Sequence, residues 1–238
     1  MPRTARIIVT DSPHHIIHRG YDRQPIFACD EDYQYYLDNL AELKEASSCK
    51  VYAFCLMANH VHLIVDPGDQ PDGIGKLMKR LAGRQTRHMN RLAGRSGTLW
   101  EGRFRSSPID STNYLLACCR YLEMNPVLAK ICHDPASYRW SSCAAKVGQD
   151  SIDWLDFDPL YVALGDSVEQ RRAHYSTFLR ETIPEKERAL ILGAVLRGQL
   201  TGGPDFVDEI EQRLKRRVEP RPQGRPKKEK NQACTLLT

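Results

Sequence analysis

The stretch Leu56-Met57-Ala58-Asn59-His60-Val61-His62-Leu63-Ile64-Val65 decides how the chain is organised. It has the Val, Ile and Leu content of a buried strand, and Ala58-Asn59 offers a tight turn before it. Because side chains alternate across a strand, His60 and His62 point to one face and Val61 points to the other. Two imidazoles on a rigid strand can bind one divalent cation, but a polar sheet face carrying two histidines by chance fits the same spacing.

A second informative stretch, residues 113–126, reads NYLLACCRYLEMNP. Its apolar side chains recur at helical spacing and predict one buried stripe, formed by Leu115, Cys118, Cys119 and Leu122. Tyr121 and Asn125 are four residues apart and are therefore neighbours on another face of this helix. Pro126 disfavours helical geometry at Asn125 and predicts that the helix ends there. Read alone, this helix is better explained by a half-buried tyrosine and an asparagine that terminates the helix.

The hydrophobic periods predict the element order β-α-β-β-α-β-α over the first part of the chain. Strands are expected at 7–18, 51–57, 60–65 and 100–109, and helices at 30–47, 74–92 and around Tyr121. Asp30 is a candidate N-cap for the first helix. The first six elements predict an α+β fold, a ferredoxin-like split βαβ antiparallel sheet with helices on one face.

Several motifs follow one another in a specific order. They are Asn-His-Val-His at 59–62, Leu-Trp-Glu-Gly-Arg-Phe at 99–104 and Tyr-Leu-x-x-Asn-Pro at 121–126, preceded by His-Ile-Ile-His-Arg-Gly at 15–20 and Phe27 with Asp32-Tyr33. In this order they resemble the single-tyrosine HUH transposases, where HUH denotes His, hydrophobic, His. Within that superfamily the chain is most similar to the REP-associated tyrosine transposases, and the resemblance covers residues 10–145.

The resemblance implies metal-dependent cleavage and rejoining of single-stranded or hairpin DNA, with repetitive extragenic palindromes as substrate. It implies a 5′-phosphotyrosine at Tyr121, a free 3′-hydroxyl, and a divalent cation held by His60, His62 and Asn125. Magnesium prefers oxygen ligands, so two imidazoles make Mn²⁺ as good a candidate as Mg²⁺. Helix geometry alone leaves Tyr114, seven residues before Tyr121, as an alternative nucleophile; the family motif selects Tyr121.

Composition excludes several other classes of protein. With 41% hydrophobic and 27% charged residues in 238, the chain has a globular composition, and no apolar run approaches the roughly 20 residues of a membrane span. The first residues lack the apolar stretch of a signal peptide. Eight cysteines without a Cys-x-x-Cys motif are expected to be reduced. We therefore expect a cytoplasmic, nucleoid-associated protein with no membrane partner.

The C-terminal part differs from the rest in charge. Residues 213–230 carry nine Lys or Arg and two Glu, a net charge of +7, which leaves −3 for the rest of a chain whose total is +4. A basic segment on a mildly acidic body indicates a polyanionic partner, although a solubilising tail has the same composition. Gly224-Arg225-Pro226 resembles an AT-hook, which lays an arginine in a narrow A·T minor groove.

Three regions are expected. Residues 1–145 form the catalytic domain, 150–218 a helical accessory region, and 219–238 a basic disordered tail. Accessory helices are predicted at 167–181, 184–197 and 205–217, with Pro184 in a first turn and Gly198 at a C-terminus. The last two form either a helix-turn-helix-like DNA reader or a helical hairpin packed on the catalytic domain.

DNA is the expected partner of a monomer or homodimer. Its predicted contacts are basic side chains, which are Arg84, Arg87, Arg103, Arg221, Arg225, Lys227 and Lys228; a solvated helix face explains the first two equally well. Trp100 and Phe104 either stack on bases or pack in the core. The histidines of the first strand, His14, His15 and His18, are assigned to a polar strand face rather than to zinc. Two other functions remain open: a catalytically inactive, transposase-derived DNA-binding regulator, and a replication initiator or relaxase.

Overall fold

The computed structural model of the chain describes residues 6–218. Within them, an antiparallel sheet has the strand order β2-β3-β1-β4, formed by β1 His14–Arg19, β2 Lys50–Met57, β3 His60–Asp66 and β4 Arg105–Pro108. Helices α1 Asp30–Glu45 and α2 Gly73–Leu92 connect the strands, and α3 Leu115–Glu123 follows β4. The predicted α+β fold and its element order are confirmed.

Alternation along the strands gives the sheet two buried faces. One set of side chains, including Ile16 and Leu63, packs with Leu40 of α1 and Leu77 of α2. This packing of α1 and α2 on one face agrees with the predicted ferredoxin-like arrangement. The opposite set packs with α3 and with a helix of the accessory region; its members include Cys55, Ile64, Cys118, Leu122 and Ile191. The helix that carries Tyr121 therefore lies across the second face of the sheet.

The pairing of β1 with β3 determines which side chains meet on that second face. Arg19 lies opposite His60, and Ile17 lies opposite His62. Directly opposed residues of an antiparallel pair share a face, and so do alternate residues of one strand. His15 and Arg19 therefore join His60 and His62 on the face covered by α3.

Several predicted boundaries differ from the structure, and the fourth strand, expected at 100–109, spans only Arg105–Pro108. Helix α3 ends at Glu123, and Asn125 begins the short helix α4 Asn125–Leu128, so Pro126 does not end the Tyr121 helix at Asn125. Pro126 lies instead in a first helical turn, where its missing N–H costs no hydrogen bond. Cys29, not Asp30, is the N-cap of α1. The first strand begins at His14, because Ile7 and Val9 pack against the last helix instead.

The accessory helices pack on the N-terminal half of the chain. They are α6 Pro159–Val162, α7 Val168–Arg180, α8 Glu185–Arg197 and α9 Pro204–Leu214, and the short helix α5 Cys143–Val147 lies just before them. Gly198 ends α8 in the left-handed conformation at φ 66°, as its sequence position predicts. Pro184, expected within the first turn, is the N-cap of α8. Helix α8 contacts β1, β4 and α3, and Ile210 of α9 is buried with Ile7 and Val9.

A buried ion pair anchors the Tyr121 helix to α5. Glu123 of α3 lies 3.3 Å from Lys146 Nζ of α5, and neither side chain is exposed. The hydroxyl groups of Ser142 and Tyr175 also donate to the Glu123 carboxylate, at 2.6 and 2.7 Å. A buried carboxylate needs such partners, because desolvation of an unpaired charge is costly. The position of Tyr121, two residues earlier, therefore depends on α5 and α7.

Candidate active site

Two histidines of β3 form the centre of the candidate site. The His60 and His62 rings lie edge to face with centroids 5.0 Å apart. His60 Nδ1 is 2.6 Å from Asn59 Oδ1, and His62 Nδ1 is 2.9 Å from His15 Nε2. The amide oxygen of Asn59 can only accept, so His60 donates from Nδ1 and its Nε2 keeps a lone pair. His62 also has a free lone pair on its Nε2 atom when its Nδ1–H donates to His15 Nε2.

Burial keeps these imidazoles neutral. It lowers the pKa of His60 to about 4, with a smaller contribution from the Arg19 guanidinium. Burial also lowers the pKa of His15 to about 3 and that of His62 well below its usual value, where His15, His60 and Arg19 contribute further. Neutral imidazole is the form that binds a metal ion, because only it has a free lone pair.

Tyr121 extends from α3 toward the histidines on the second face of the sheet. Its ring lies edge-on to both His15 and His62, with centroid separations of 6.0 and 6.3 Å. The apolar stripe of α3 packs on the sheet and turns Tyr121 toward the histidine face. Tyr114 is half-buried at the start of α3, and within residues 6–218 its ring does not stack on either histidine.

The environment of Tyr121 makes its phenol a weak acid. Burial raises the pKa of Tyr121, and the Arg188 guanidinium of α8 opposes this shift. Helix α8 is fixed beside α3 by the ion pair between Arg120 Nη2 and Glu187 Oε1, at 2.8 Å. A nearby positive charge favours the phenolate, which is the more nucleophilic form of a phenol.

Asn125 lies at the junction of α3 and α4. Its amide nitrogen donates to the carbonyl oxygens of Tyr121 and Leu122, both at 3.0 Å. These bonds engage the amide nitrogen, and Oδ1 is the side-chain atom that can act as a ligand. In the described part of the chain Asn125 forms no hydrogen bond with His60 or His62. The structure thus brings Tyr121, His60 and His62 together and holds Asn125 one helical turn away.

The donor set around β3 suits a cation only in part. Residues 6–218 hold no group of three or more His, Cys, Asp or Glu side chains that is arranged to bind a metal ion. Two neutral imidazoles and an amide oxygen are acceptable ligands for Mn²⁺ or Mg²⁺. Such a set leaves several coordination positions to water and to a phosphate, as in sites that act on bound substrate.

The predicted DNA contacts have different surroundings. Arg84 is held by Glu42 and by Asn39 on α1, so its guanidinium is already occupied. Arg87 is exposed on α2, and Arg103 follows the left-handed Gly102. The remaining predicted contacts lie outside the described residues, together with the AT-hook-like segment; they are Arg221, Arg225, Lys227 and Lys228.

Other candidate side chains prove to be structural. Trp100 and Phe104 are buried, and the Trp100 ring stacks on His18 at 4.0 Å. These aromatic rings therefore belong to the core and offer no open platform for a base. The seven cysteines in the described part of the chain are free thiols, and five of them are buried.

Two residues of the site were not singled out from the sequence. His15 was assigned to a polar strand face, yet it contacts both His62 and Tyr121. Arg19 lies opposite His60. The alternation of β1 gives His15 and Arg19 the same face. Only the pairing register, which sequence periodicity does not supply, joins that face to His60 and His62.

Comparison with known proteins agrees with this architecture. Residues 8–125 match the family model described as Transposase IS200 like, so this part of the chain belongs to the IS200-like transposase family, whose members are enzymes that act on DNA. A solved structure described as a REP-associated tyrosine transposase bound to a REP hairpin is similar, with a TM-score of 0.52 and 17% identity over 66% of this chain and 96% of that chain. At this identity the likeness concerns the fold.

A second similar structure is described as a transposase from Deinococcus radiodurans, with a TM-score of 0.37 and 19% identity over 55% of this chain and 92% of that chain. No curated protein matches. A membrane-spanning helix is not found in residues 6–218, since none of their helices is both long and apolar enough.

Proposed function

We propose that this transposase cleaves and rejoins single-stranded DNA through a covalent bond to Tyr121. One observation carries the proposal: the buried Tyr121 ring lies edge-on to His15 and His62, and His60 adjoins them on the same sheet face. A phenol beside two neutral imidazoles is an arrangement for nucleophilic attack next to a cation site. Tyr114 lacks this environment and is the less favoured nucleophile.

The chemical step is a transesterification. Tyr121 Oη attacks the scissile phosphorus, a tyrosine–phosphate bond forms, and the bond from phosphorus to the 3′-oxygen breaks. The phenol loses one proton and the departing 3′-oxygen gains one, so the reaction is proton-neutral overall. The products are a 5′-phosphotyrosine and a free 3′-hydroxyl. Because the phosphodiester energy is conserved, attack by a 3′-hydroxyl on the phosphotyrosine rejoins strands without a nucleotide cofactor.

His60, His62 and Asn125 are the residues that would hold a divalent cation, Mg²⁺ or Mn²⁺. When bound, such a cation neutralises phosphate charge and polarises a phosphoryl oxygen. The protein contributes the neutral state of the imidazoles and the orientation of His60 by Asn59. Arg188 contributes positive charge near Tyr121, where burial otherwise disfavours the phenolate.

Hairpins formed by palindromic repeats are the substrate we propose. Support comes from the similarity to a transposase whose solved structure contains a REP hairpin. Arg87, Arg103 and the basic residues after 218 are proposed phosphate contacts. Arg84 can join them only if phosphate replaces Glu42, because the two side chains form paired bonds at 2.5 and 2.7 Å.

The two predicted regions of the chain have different proposed roles. Residues 1–145 are the catalytic domain, and the accessory region 150–218 supports it through α7 and α8. DNA in the nucleoid of the cytoplasm is the place of action. The protein acts as a monomer or homodimer, and α8 covers sheet surface that a partner would otherwise cover.

A covalent adduct tests the function. The purified full chain is incubated with Mn²⁺ and a hairpin oligonucleotide labelled at its 3′ end, and the mixture is separated on a denaturing gel. We expect the label to migrate with the protein, and we expect excess chelator to abolish this band. Tight hairpin binding with no adduct under any metal condition would contradict the proposal and indicate a catalytically inactive regulator.

A further inference from the structure

Arg19 stands out among the cations of the sheet. It is partly buried at the end of β1, directly opposite His60, on the face that carries His62 and Tyr121. Its guanidinium forms no hydrogen bond or ion pair with any residue in 6–218. Neighbouring cations are engaged: Arg105 donates to the carbonyl oxygen of Leu196, and Arg188 is paired with Glu185.

The backbone around Arg19 is held firmly. Its carbonyl oxygen accepts from Glu101 N–H at 2.8 Å, and Gly20 N–H donates to Asn59 O at 2.8 Å. A side chain on Gly20 would place Cβ 2.3 Å from the carbonyl oxygen of Gln24, so only glycine permits this close approach. The start of the Arg19 side chain is therefore fixed relative to the turn that leads into His60.

The Arg19 guanidinium in this position is suited to bind an anionic ligand. Two opposite-strand neighbours have Cβ atoms roughly 5 Å apart, so the Arg19 side chain is long enough for its guanidinium to reach the space in front of His60. A metal ion bound there and the guanidinium would repel each other unless a negative group lay between them. A phosphodiester provides that charge, and its two non-bridging oxygens can face the two cations separately.

We infer that Arg19 is a further catalytic residue, whose guanidinium binds a non-bridging oxygen of the scissile phosphate across from the cation site of His60 and His62. This inference rests on the proposed function. In the transition state Arg19 stabilises the charge that grows on that oxygen as Tyr121 attacks. No proton moves through Arg19, which remains charged throughout.

The test compares the wild-type chain with Arg19→Ala, Arg19→Lys and a matched control, Lys50→Ala, which removes an exposed cation from the far end of the same sheet. We expect Arg19→Ala to slow adduct formation by about 100-fold or more, as for loss of one oxyanion donor. Arg19→Lys should recover only part of the rate, because an ammonium lacks the planar fork. Lys50→Ala should match the wild type.

A second experiment changes the DNA at the cleavage position and compares the wild type with Arg19→Ala. Hairpins with a stereopure methylphosphonate at the cleavage position replace one charged oxygen with a methyl group. For one of the two stereoisomers, the loss of binding and of rate should be large in the wild type and much smaller in Arg19→Ala. Equal losses in both proteins for both stereoisomers would overturn the inference.

The outcomes separate the two proposals. If the wild type forms an adduct and Arg19→Ala forms it within twofold of the same rate, the role of Arg19 is refuted and the proposed function stands. If the wild type forms no adduct, the proposed function fails. The methylphosphonate comparison of binding then still decides whether Arg19 contacts the phosphate.

Discussion

The Nδ1 atom of His62 lies 2.9 Å from the Nε2 atom of His15, and both imidazoles are buried. One of the two nitrogens carries the proton in this bond. Only when His62 donates does its own Nε2 keep the lone pair that a cation requires. His15 then carries its proton on Nδ1, a buried atom that has no hydrogen-bond partner. In the proposed function His15 is thus a positioning residue, which holds His62 in the tautomer that can bind a cation.

The first prediction concerns that bond. His15→Leu leaves His62 Nδ1 unpaired, so we expect Mn²⁺ affinity to fall by about 10- to 100-fold. His15→Gln supplies an amide oxygen that accepts from His62 and should restore most of the affinity. Calorimetry of Mn²⁺ binding gives the comparison, with the exposed His174 changed to alanine as control. Wild-type affinity in His15→Leu would show that the bond does not orient His62.

The second prediction separates metal binding from DNA binding. The double variant His60→Ala, His62→Ala removes both imidazoles, so Mn²⁺ binding and adduct formation should be lost. Hairpin affinity in the absence of metal should stay within about threefold, because phosphate contacts by basic residues supply most of that affinity. Metal titration and filter binding measure the two effects. An active double variant would exclude the histidines as cation ligands.

The third prediction concerns the anchor of the Tyr121 helix. Lys146→Met leaves the Glu123 carboxylate buried without its cation, and we expect a loss of about 3–5 kcal/mol in the free energy of unfolding. Adding Glu123→Leu should recover part of the loss. The exposed pair between Lys76 and Asp72 is the control, since Lys76→Met should cost about 1 kcal/mol or less. Urea unfolding gives all three values, and equal stability of Lys146→Met and the wild type would refute the anchor.

Sequence reasoning recovered the strands and helices because their periods are local. The His60–His62 face follows from alternation alone, and the spacing of Tyr121 and Asn125 follows from the helical repeat. Helix α8 could not be placed, because Ile191 joins the hydrophobic cluster that contains Tyr121 through tertiary packing that no period encodes. The predicted end of the Tyr121 helix at Asn125 was wrong for a local reason: proline disfavours helix in the preceding residue but is tolerated in a first turn. The roles of His15 and Arg19 required the strand register.

The fourth prediction concerns the basic segment beyond the described residues. A truncation that ends at Val218 removes Arg221, Arg225, Lys227, Lys228 and Lys230. We expect weaker hairpin binding and a shallower salt dependence, by about 0.7 in log–log slope for each lost single-strand phosphate contact. Adduct formation should recover at saturating protein. A salt titration of both proteins is the measurement.

Two results would contradict the fourth prediction in different ways. Unchanged affinity and slope would make residues 219–238 a passive segment. Failure of adduct formation at saturation would mean that they help to build the active site. Arg225→Ala distinguishes an AT-hook from a simple charge, because only a hook should lose affinity selectively for A·T-rich duplexes.

The central claim is that Tyr121 is the nucleophile, and trypsin makes it directly testable. Cleavage after Arg105, Arg120 and Lys130 places Tyr114 and Tyr121 in different peptides, 106–120 and 121–130. The adduct formed with Mn²⁺ and hairpin DNA is digested with nuclease and trypsin, and the peptides are sequenced by mass spectrometry. A nucleotide phosphate on Tyr121, absent when Tyr121 is changed to Phe, is the predicted result. A nucleotide phosphate on Tyr114, retained in Tyr121→Phe, would contradict the account.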